Sequence, residues 1–122
     1  MPAASNKQAT DKQVKGRLAE DAALVYLQQQ GLQLVQRNFL CKGGELDLIM
    51  RDGHSLVFVE VRQRSSASFG GALASITPAK QRRMVLAAQV FLQQQRTVPA
   101  CRFDAVAIEG TRIDWLKNIL DM

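Results

Sequence analysis

From residue 11 to 30 the apolar positions recur at helical spacing; Thr10-Asp11 offers a helix start and Gly31 stands where the helix would stop. The period then shortens. Residues 32–40 (LQLVQRNFL) read as a strand, Lys42-Gly43-Gly44 as a turn, and residues 45–50 and 55–63 as two further strands. Asp52-Gly53, in the link between the last two, is the strongest short hairpin signal in the chain. Residues 65–76 (SSASFGGALASI) are small, polar and glycine-containing, which predicts a mobile loop. Thr77-Pro78 supplies an N-cap and a proline at the first helical position, opening a second helix to about residue 95. Residues 102–108 alternate as a strand, and 112–120 fit a strand, a helix or one after the other. With residues 1–10 as a disordered tail, residues 11–122 are expected to form a single α/β (α+β) domain of order α-β-β-β-α-β with a small C-terminal addition.

The hairpin sorts its residues by face. With Asp52-Gly53 as a two-residue turn, Arg51 pairs with His54, Asp47 lies opposite Phe58 and Glu45 opposite Glu60. One face then carries Leu46, Leu48, Met50, Val57, Val59 and Val61, all apolar and suited to a core. The other carries Glu45, Asp47, Ile49, Leu56, Phe58, Glu60 and Arg62, with the charges gathered away from the turn. Three acids beside apolar neighbours are costly without a cation. A hard divalent ion such as Mg²⁺ or Mn²⁺ is one answer; a solvated strand end neutralised by Arg62 or another base is the other. Glu20 lies on the otherwise small or apolar stripe Gly16, Ala23, Leu24, Leu27 of the first helix, either as partner to a base, as part of a site, or at the helix surface. Lys80, Arg82 and Arg83 crowd the start of the second helix, where the dipole favours negative charge; they form a phosphate site or a solvated charged face. Gln81 shares a stripe with Val85 and Ala88, which turns it toward the strands.

Composition narrows the function classes. The 122 residues suit one domain with a genuine core, with 47% hydrophobic and 22% charged residues and a net charge of +5. The longest apolar run, residues 22–27, is far below the roughly 20 residues of a membrane-spanning helix, so no membrane association is expected. The N-terminus lacks the apolar segment of a signal peptide. Cys41 and Cys101, far apart and without a CxxC spacing, read as reduced thiols of a cytoplasmic protein. A lone histidine, His54, excludes zinc sites built on several histidines. Basic charge is concentrated: residues 61–103 contain Arg62, Arg64, Lys80, Arg82, Arg83, Arg96 and Arg102 and no acid. An acidic corner beside a basic ramp suits a nucleic-acid partner.

The strings GELDLIM and VFVEVRQR, joined by a tight hairpin, resemble the restriction-endonuclease-like, or PD-(D/E)XK, nuclease superfamily, which includes relatives of Holliday-junction resolvases. More narrowly, the chain resembles the bacterial YraN family of small uncharacterised proteins. The match runs through Gly16-Arg17-Leu18-Ala19-Glu20, Arg37-Asn38-Phe39, residues 44–50 and 57–64, Phe69-Gly70, Lys80-Gln81 and Arg102-Phe103-Asp104, about residues 15 to 115. The resemblance implies an αβββαβ core with a mixed sheet flanked by helices. It implies that Asp47 and Glu60 hold a divalent metal, Mg²⁺ or Mn²⁺, with Glu20 completing the acidic site. It also implies a role for Gln81 on the second helix. Asp104 matches a family position for which a strand-end hydrogen bond is expected. One departure stands out. The lysine of the ExK motif is Arg62 here, and arginine, effectively never deprotonated, does not replace lysine freely. Lys80 is a candidate to supply a lysine from elsewhere.

The leading expectation is a metal-dependent endonuclease that hydrolyses DNA phosphodiester bonds, with branched or damaged DNA among its candidate substrates. Glu20, Asp47 and Glu60 would hold metal, Arg62 would stabilise the scissile phosphate, and Arg64, Lys80, Arg82 and Arg83 would grip the backbone. The runner-up is a nucleic-acid-binding protein of the same fold that cuts little or nothing. A third is a protein-interaction domain whose charge serves solubility. Small junction and duplex binders are often dimers, so a homodimer is carried as an expectation.

Overall fold

The computed structural model describes residues 10–64 and 73–120. The expected tail at 1–9 and residues 65–72 of the expected loop lie outside them. Thr10 caps helix α1 (Asp11–Gln29) with a reciprocal box, its hydroxyl accepting from the Gln13 N–H and the Gln13 side chain accepting from the Thr10 N–H. Strands β1 (Gln33–Cys41), β2 (Gly44–Asp52) and β3 (Ser55–Arg64) follow. A single 3-10 turn, Leu73–Ser75, precedes helix α2 (Pro78–Gln93), whose first N–H groups are met by the Thr77 hydroxyl. Strands β4 (Cys101–Glu109) and β5 (Arg112–Leu116) complete the chain, so the undecided segment at 112–120 opens as a strand. The sheet order is β1-β2-β3-β4-β5; β3 and β4 run parallel across the α2 connection and the other neighbours are antiparallel. This mixed sheet between two helices is the expected α/β (α+β) architecture.

Both faces of the sheet are covered. Under α2, Ile49, Leu56, Phe58 and Phe103 pack against Met84, Ala87, Ala88 and Phe91. On the opposite face, Leu48, Met50, Val57 and Val59 pack against Ala19, Ala23 and Leu27 of α1. α2 sits unusually close to the sheet. A Cβ on Gly44 would stand 2.5 Å from the Arg83 carbonyl oxygen and 3.1 Å from the Ala87 nitrogen, so only glycine admits the helix there.

Two details of the hairpin differ from expectation. The turn centres on Gly53-His54, with Asp52 paired to Ser55, because Gly53 takes the left-handed backbone (φ 62°) at the first central position. The register therefore slides by two residues. An even shift keeps each paired residue on its face, and the ladder ends at the Leu48–Val59 pair, which leaves Asp47 and Glu60 as the next residues of the two strands. Second, Leu46 packs with Phe39 on the α2 side, whereas Leu48 packs on the α1 side. The alternation breaks at Asp47. Across the β1 pairing this position faces Asn38, a left-handed residue (φ 53°). The single apolar face expected along 46–61 is thus interrupted where the acids begin.

Candidate functional site

The local break turns Asp47 away from α2 and toward the N-terminal half of α1. Its Oδ2 accepts the Val61 N–H at 2.9 Å, across the fork where β2 leaves β3. Asp47 and Glu20 line the same cavity of about 450 Å³, together with Gln13, Gly16, Arg17, Ala19, Val61 and Gln63. No ion pair holds Asp47 among the described residues.

Glu60, beside it, is 2% exposed. Burial, followed by the charge of Asp47 and a hydrogen bond with it, pushes the Glu60 carboxyl up to about 8, while Lys80 and Arg62 pull the other way. Arg62 Nε lies 3.2 Å from Glu60 Oε2 and Lys80 Nζ 3.6 Å from it. The arginine contact lacks hydrogen-bond geometry, so Glu60 Oε1 and Arg62 Nε are both buried without a hydrogen-bond partner among the described residues. An orphaned carboxylate oxygen in a dry site is costly, and marks a position where a further donor or cation would be stabilising.

Lys80 is 16% exposed and reaches from α2 over the sheet; its Nζ donates to Glu45 Oε1 at 3.1 Å. Arg83 joins the same oxygen at 3.3 Å. The close seat of α2 on Gly44 is what lowers both cations onto Glu45. The start of α2, electrically unfavourable on its own, is thus balanced by acids from β2 and β3. This realises in part the second answer for the charged strand end, neutralisation by bases of the chain itself.

Glu20 is 12% exposed and accepts from Arg37 Nε at 3.1 Å and Nη2 at 2.9 Å, while Nη2 also reaches Asp21 at 2.7 Å. These two carboxylates hold the Arg37 guanidinium above its ordinary pKa. Glu20 therefore pairs with a base, as one of its expected alternatives had it, and it also lines the cavity of Asp47. The acids do not collect at one point, and no group of three or more metal-ligating side chains lies within reach of a single ion among the described residues. Asp47 and Glu60 form the adjacent pair, Glu20 stands across the cavity, and Glu45 belongs to Lys80 and Arg83.

The remaining expected residues fall elsewhere. Gln81 donates from Nε2 to the Ile76 carbonyl at 3.1 Å and lines a groove on the outer side of α2 with Pro78, Arg82 and Leu120, apart from the acids. Arg82 is exposed on that groove, and Arg64 ends β3. Asp104 is fully buried and accepts from Arg102 Nε, from Trp115 Nε1 at 2.9 Å and from the Asn118 N–H at 2.9 Å, while Arg102 also bridges to Asp52. The expected strand-end hydrogen bond is thus a three-donor structural anchor. Residues that pattern reading missed are Arg37, the partner of Glu20, and Lys12, Lys15 and Gln13 on α1. Arg37 lies in a motif already singled out, but nothing in its spacing identifies a partner 17 positions away.

The sequence was compared with known families and curated proteins. The model of Uncharacterised protein family UPF0102 matches residues 19–108. A UPF0102 protein of Herminiimonas arsenicoxydans is 53% identical over 121 residues, 99% of this chain and 98% of the relative. One from Janthinobacterium sp. (strain Marseille) is 58% identical over 112 residues, covering 92% and 91% of the two chains. One from Cupriavidus taiwanensis is 59% identical over 116 residues, covering 93% and 88%.

Proposed function

The chain belongs to the uncharacterised family UPF0102, and from its site we propose that it is a metal-dependent phosphodiesterase acting on DNA. The observation that carries this reading is the Asp47–Glu60 pair: two adjacent carboxylates, one buried with an orphaned oxygen, at the edge of a cavity that a third acid also lines. Such a pair fits Mg²⁺ or Mn²⁺, which take oxygen ligands and commonly need one or two carboxylates, with waters filling the remaining positions. Asp47 and Glu60 would hold the ion, and Glu20 would act from across the cavity. What the ion supplies there is polarisation of the phosphodiester and a more acidic bound water.

The chain's own residues contribute the rest. Asp47 and Glu60 must be ionised together, and Lys80 and Arg62 favour that state by facing Glu60. Arg62 stays charged at any working pH and is suited to stabilising charge that develops on the phosphoryl oxygens. Lys80 brings an ammonium to the same carboxylate from the opposite element, which is the position that the Arg62 departure leaves in want of a lysine. The test is cleavage of linear, nicked and four-way-junction DNA in Mn²⁺ by the wild type, Asp47→Ala and Lys80→Ala. Metal-dependent cleavage lost in both variants supports the reading. A wild type that cuts nothing, or an Asp47→Ala variant that cuts equally well, sinks it.

A second reading, a nucleic-acid-binding protein of this fold that does not cut, is favoured by one observation. Cations of the chain already face Glu45 and Glu60, so part of the acidic charge is answered internally. Calorimetric titration separates the two: absence of Mn²⁺ binding at millimolar concentration, with or without DNA, favours the non-catalytic protein.

A further inference from the structure

The cavity of Asp47 and Glu20 does not end at the acids. A second cavity, of about 550 Å³, shares Gly16, Val61 and Gln63 with it and is lined by Lys12, Lys15 and Arg62. The two form one trench between α1 and the end of β3, with Glu20 and Asp47 beside Arg17 at one end and only bases among its charged residues, Lys12, Lys15 and Arg62, at the other. We propose that this trench binds a single polynucleotide strand, with Lys12, Lys15 and Arg62 holding phosphates next to the one presented to the acids and Gly16 forming its floor.

Gly16 is the first ground. It stands inside α1, where glycine is less favourable than alanine. Packing does not require it. A Cβ there would meet nothing within 4 Å among the described residues, and the position has no left-handed backbone to accommodate. A small residue lining both cavities, unneeded by the fold, leaves room for something that is not part of the fold.

The second ground is charge. Of the cations at the start of α2, Arg82 lines the separate groove of Gln81 and Leu120, and Lys80 and Arg83 are balanced within the chain by Glu45 and Glu60. Those of α1 are not. Lys12 and Lys15 form no ion pair among the described residues, although Asp11 lies one turn before Lys15. Outside the described residues, 1–9 and 65–72 contain no Asp or Glu, and Asp121 is the one acid. Arg62, on the opposite wall, has a buried Nε without a hydrogen-bond partner.

The third ground is spacing. Lys12, Gly16 and Glu20 succeed one another at intervals of four residues, so they lie along one face of α1 about 6 Å apart, about 12 Å from end to end. At the duplex rise of about 3.4 Å per nucleotide this spans three to four nucleotides, and fewer of a more extended single strand. A strand following the helix would therefore meet lysines at one end while a phosphate stands at the acids.

This inference rests on the reading of the ligand as a polynucleotide, not on its cleavage, and is tested by binding alone. Fluorescence anisotropy of labelled dT20 is measured in EDTA against NaCl concentration for the wild type, Lys12→Ala/Lys15→Ala, Gly16→Ala, Gly16→Leu and the off-trench control Arg96→Ala/Lys117→Ala. Two lost phosphate contacts reduce the log–log salt slope by about 1.4, which is about 25-fold in affinity at 0.1 M salt. Gly16→Leu is expected to bind at least tenfold more weakly, and Gly16→Ala to melt no lower than the wild type. The control keeps most of its slope, though it removes the same charge. Equal slopes for the two double variants, wild-type affinity in Gly16→Leu, a lowered melting temperature in Gly16→Ala, or no wild-type binding at 50 mM salt would each overturn the trench. Binding that follows this pattern without cleavage in Mn²⁺ leaves the trench standing and removes the nuclease.

Discussion

Glu60→Gln removes a titrating group and keeps its shape, which makes it the sharpest probe of the acid pair. An ordinary glutamate loses its proton near pH 4.5, whereas the Glu60 carboxyl in the fold holds it up to about 8. Across that interval of about 3.5 pH units the folded chain carries a proton that the unfolded chain has released. The raised value means that this contribution to stability is fully present below pH 4.5 and is lost as pH rises through 8. The slope is about 1.4 kcal/mol per pH unit, and the total reaches at most about 5 kcal/mol. Glutamine is neutral throughout, so the stability of the variant minus that of the wild type should start near zero at pH 4.5 and climb steadily to pH 8.

Urea unfolding followed by circular dichroism at pH 5, 6, 7 and 8, in EDTA, measures this difference directly, and contributions from titrating groups that do not interact with Glu60 cancel in it. Parallel stability curves for the two proteins across that range would refute the claim that burial and Asp47 keep Glu60 protonated. The same proton gives a second readout. If Glu60 ligates Mn²⁺, binding at pH 7 must expel about one proton per ion, visible as a dependence of the calorimetric heat on buffer ionisation enthalpy. Glu60→Gln should abolish that release.

Gly44→Ala should cost about 1–3 kcal/mol, since the new methyl would meet the Arg83 carbonyl and the helix must move; thermal unfolding reads the loss. Asp104→Ala leaves Arg102 with Asp52 alone and strands the Trp115 and Asn118 N–H groups, and is expected to destabilise by about 3–5 kcal/mol in urea melts. Arg37→Met should tighten Mn²⁺ binding severalfold by freeing Glu20 and removing a nearby cation, and the gain should be smaller in a Glu20→Gln background, where only the second effect remains; an equal gain there would exclude Glu20 from the metal site.

Local chemistry made most of the fold legible. Thr10 and Thr77-Pro78 start both helices where expected, and the period-2 runs lie within β2, β3 and β4. The hairpin register was less legible because Asp52-Gly53-His54 offers two possible turn centres, and the choice depends on which residue takes positive φ. Strict alternation failed at Asp47 for a nonlocal reason: the distortion faces Asn38 on another strand, and no periodicity within β2 reports it. Asp47 and Glu60 are neighbours for a different reason than strict alternation: the slip of two residues makes them the next residues past the Leu48–Val59 pair, while the break turns Asp47 toward α1. The partners of the acids did not emerge from sequence at all. Arg37 and Lys80 reach them across 17 and 20 residues or more, through helix docking rather than spacing.

That nonlocal docking bears on the one departure from the nuclease pattern. A lysine two positions after Glu60 would enter the site from β3 itself; here that position is Arg62, whose Nε lies near Glu60 without hydrogen-bonding it. Lys80 enters from α2, and its position depends on Gly44 letting the helix settle against the start of β2. Arginine and lysine therefore meet at Oε2 of one buried carboxylate, each supplied by a different element. A residue pair split in this way cannot be judged from a linear motif, because the motif counts positions along one strand while the chemistry depends on charge gathered in space. Because Lys80 is shared with Glu45, Arg62 and Lys80 answer only part of the charge of an ionised Asp47–Glu60 pair, and a divalent cation bound there would supply the rest.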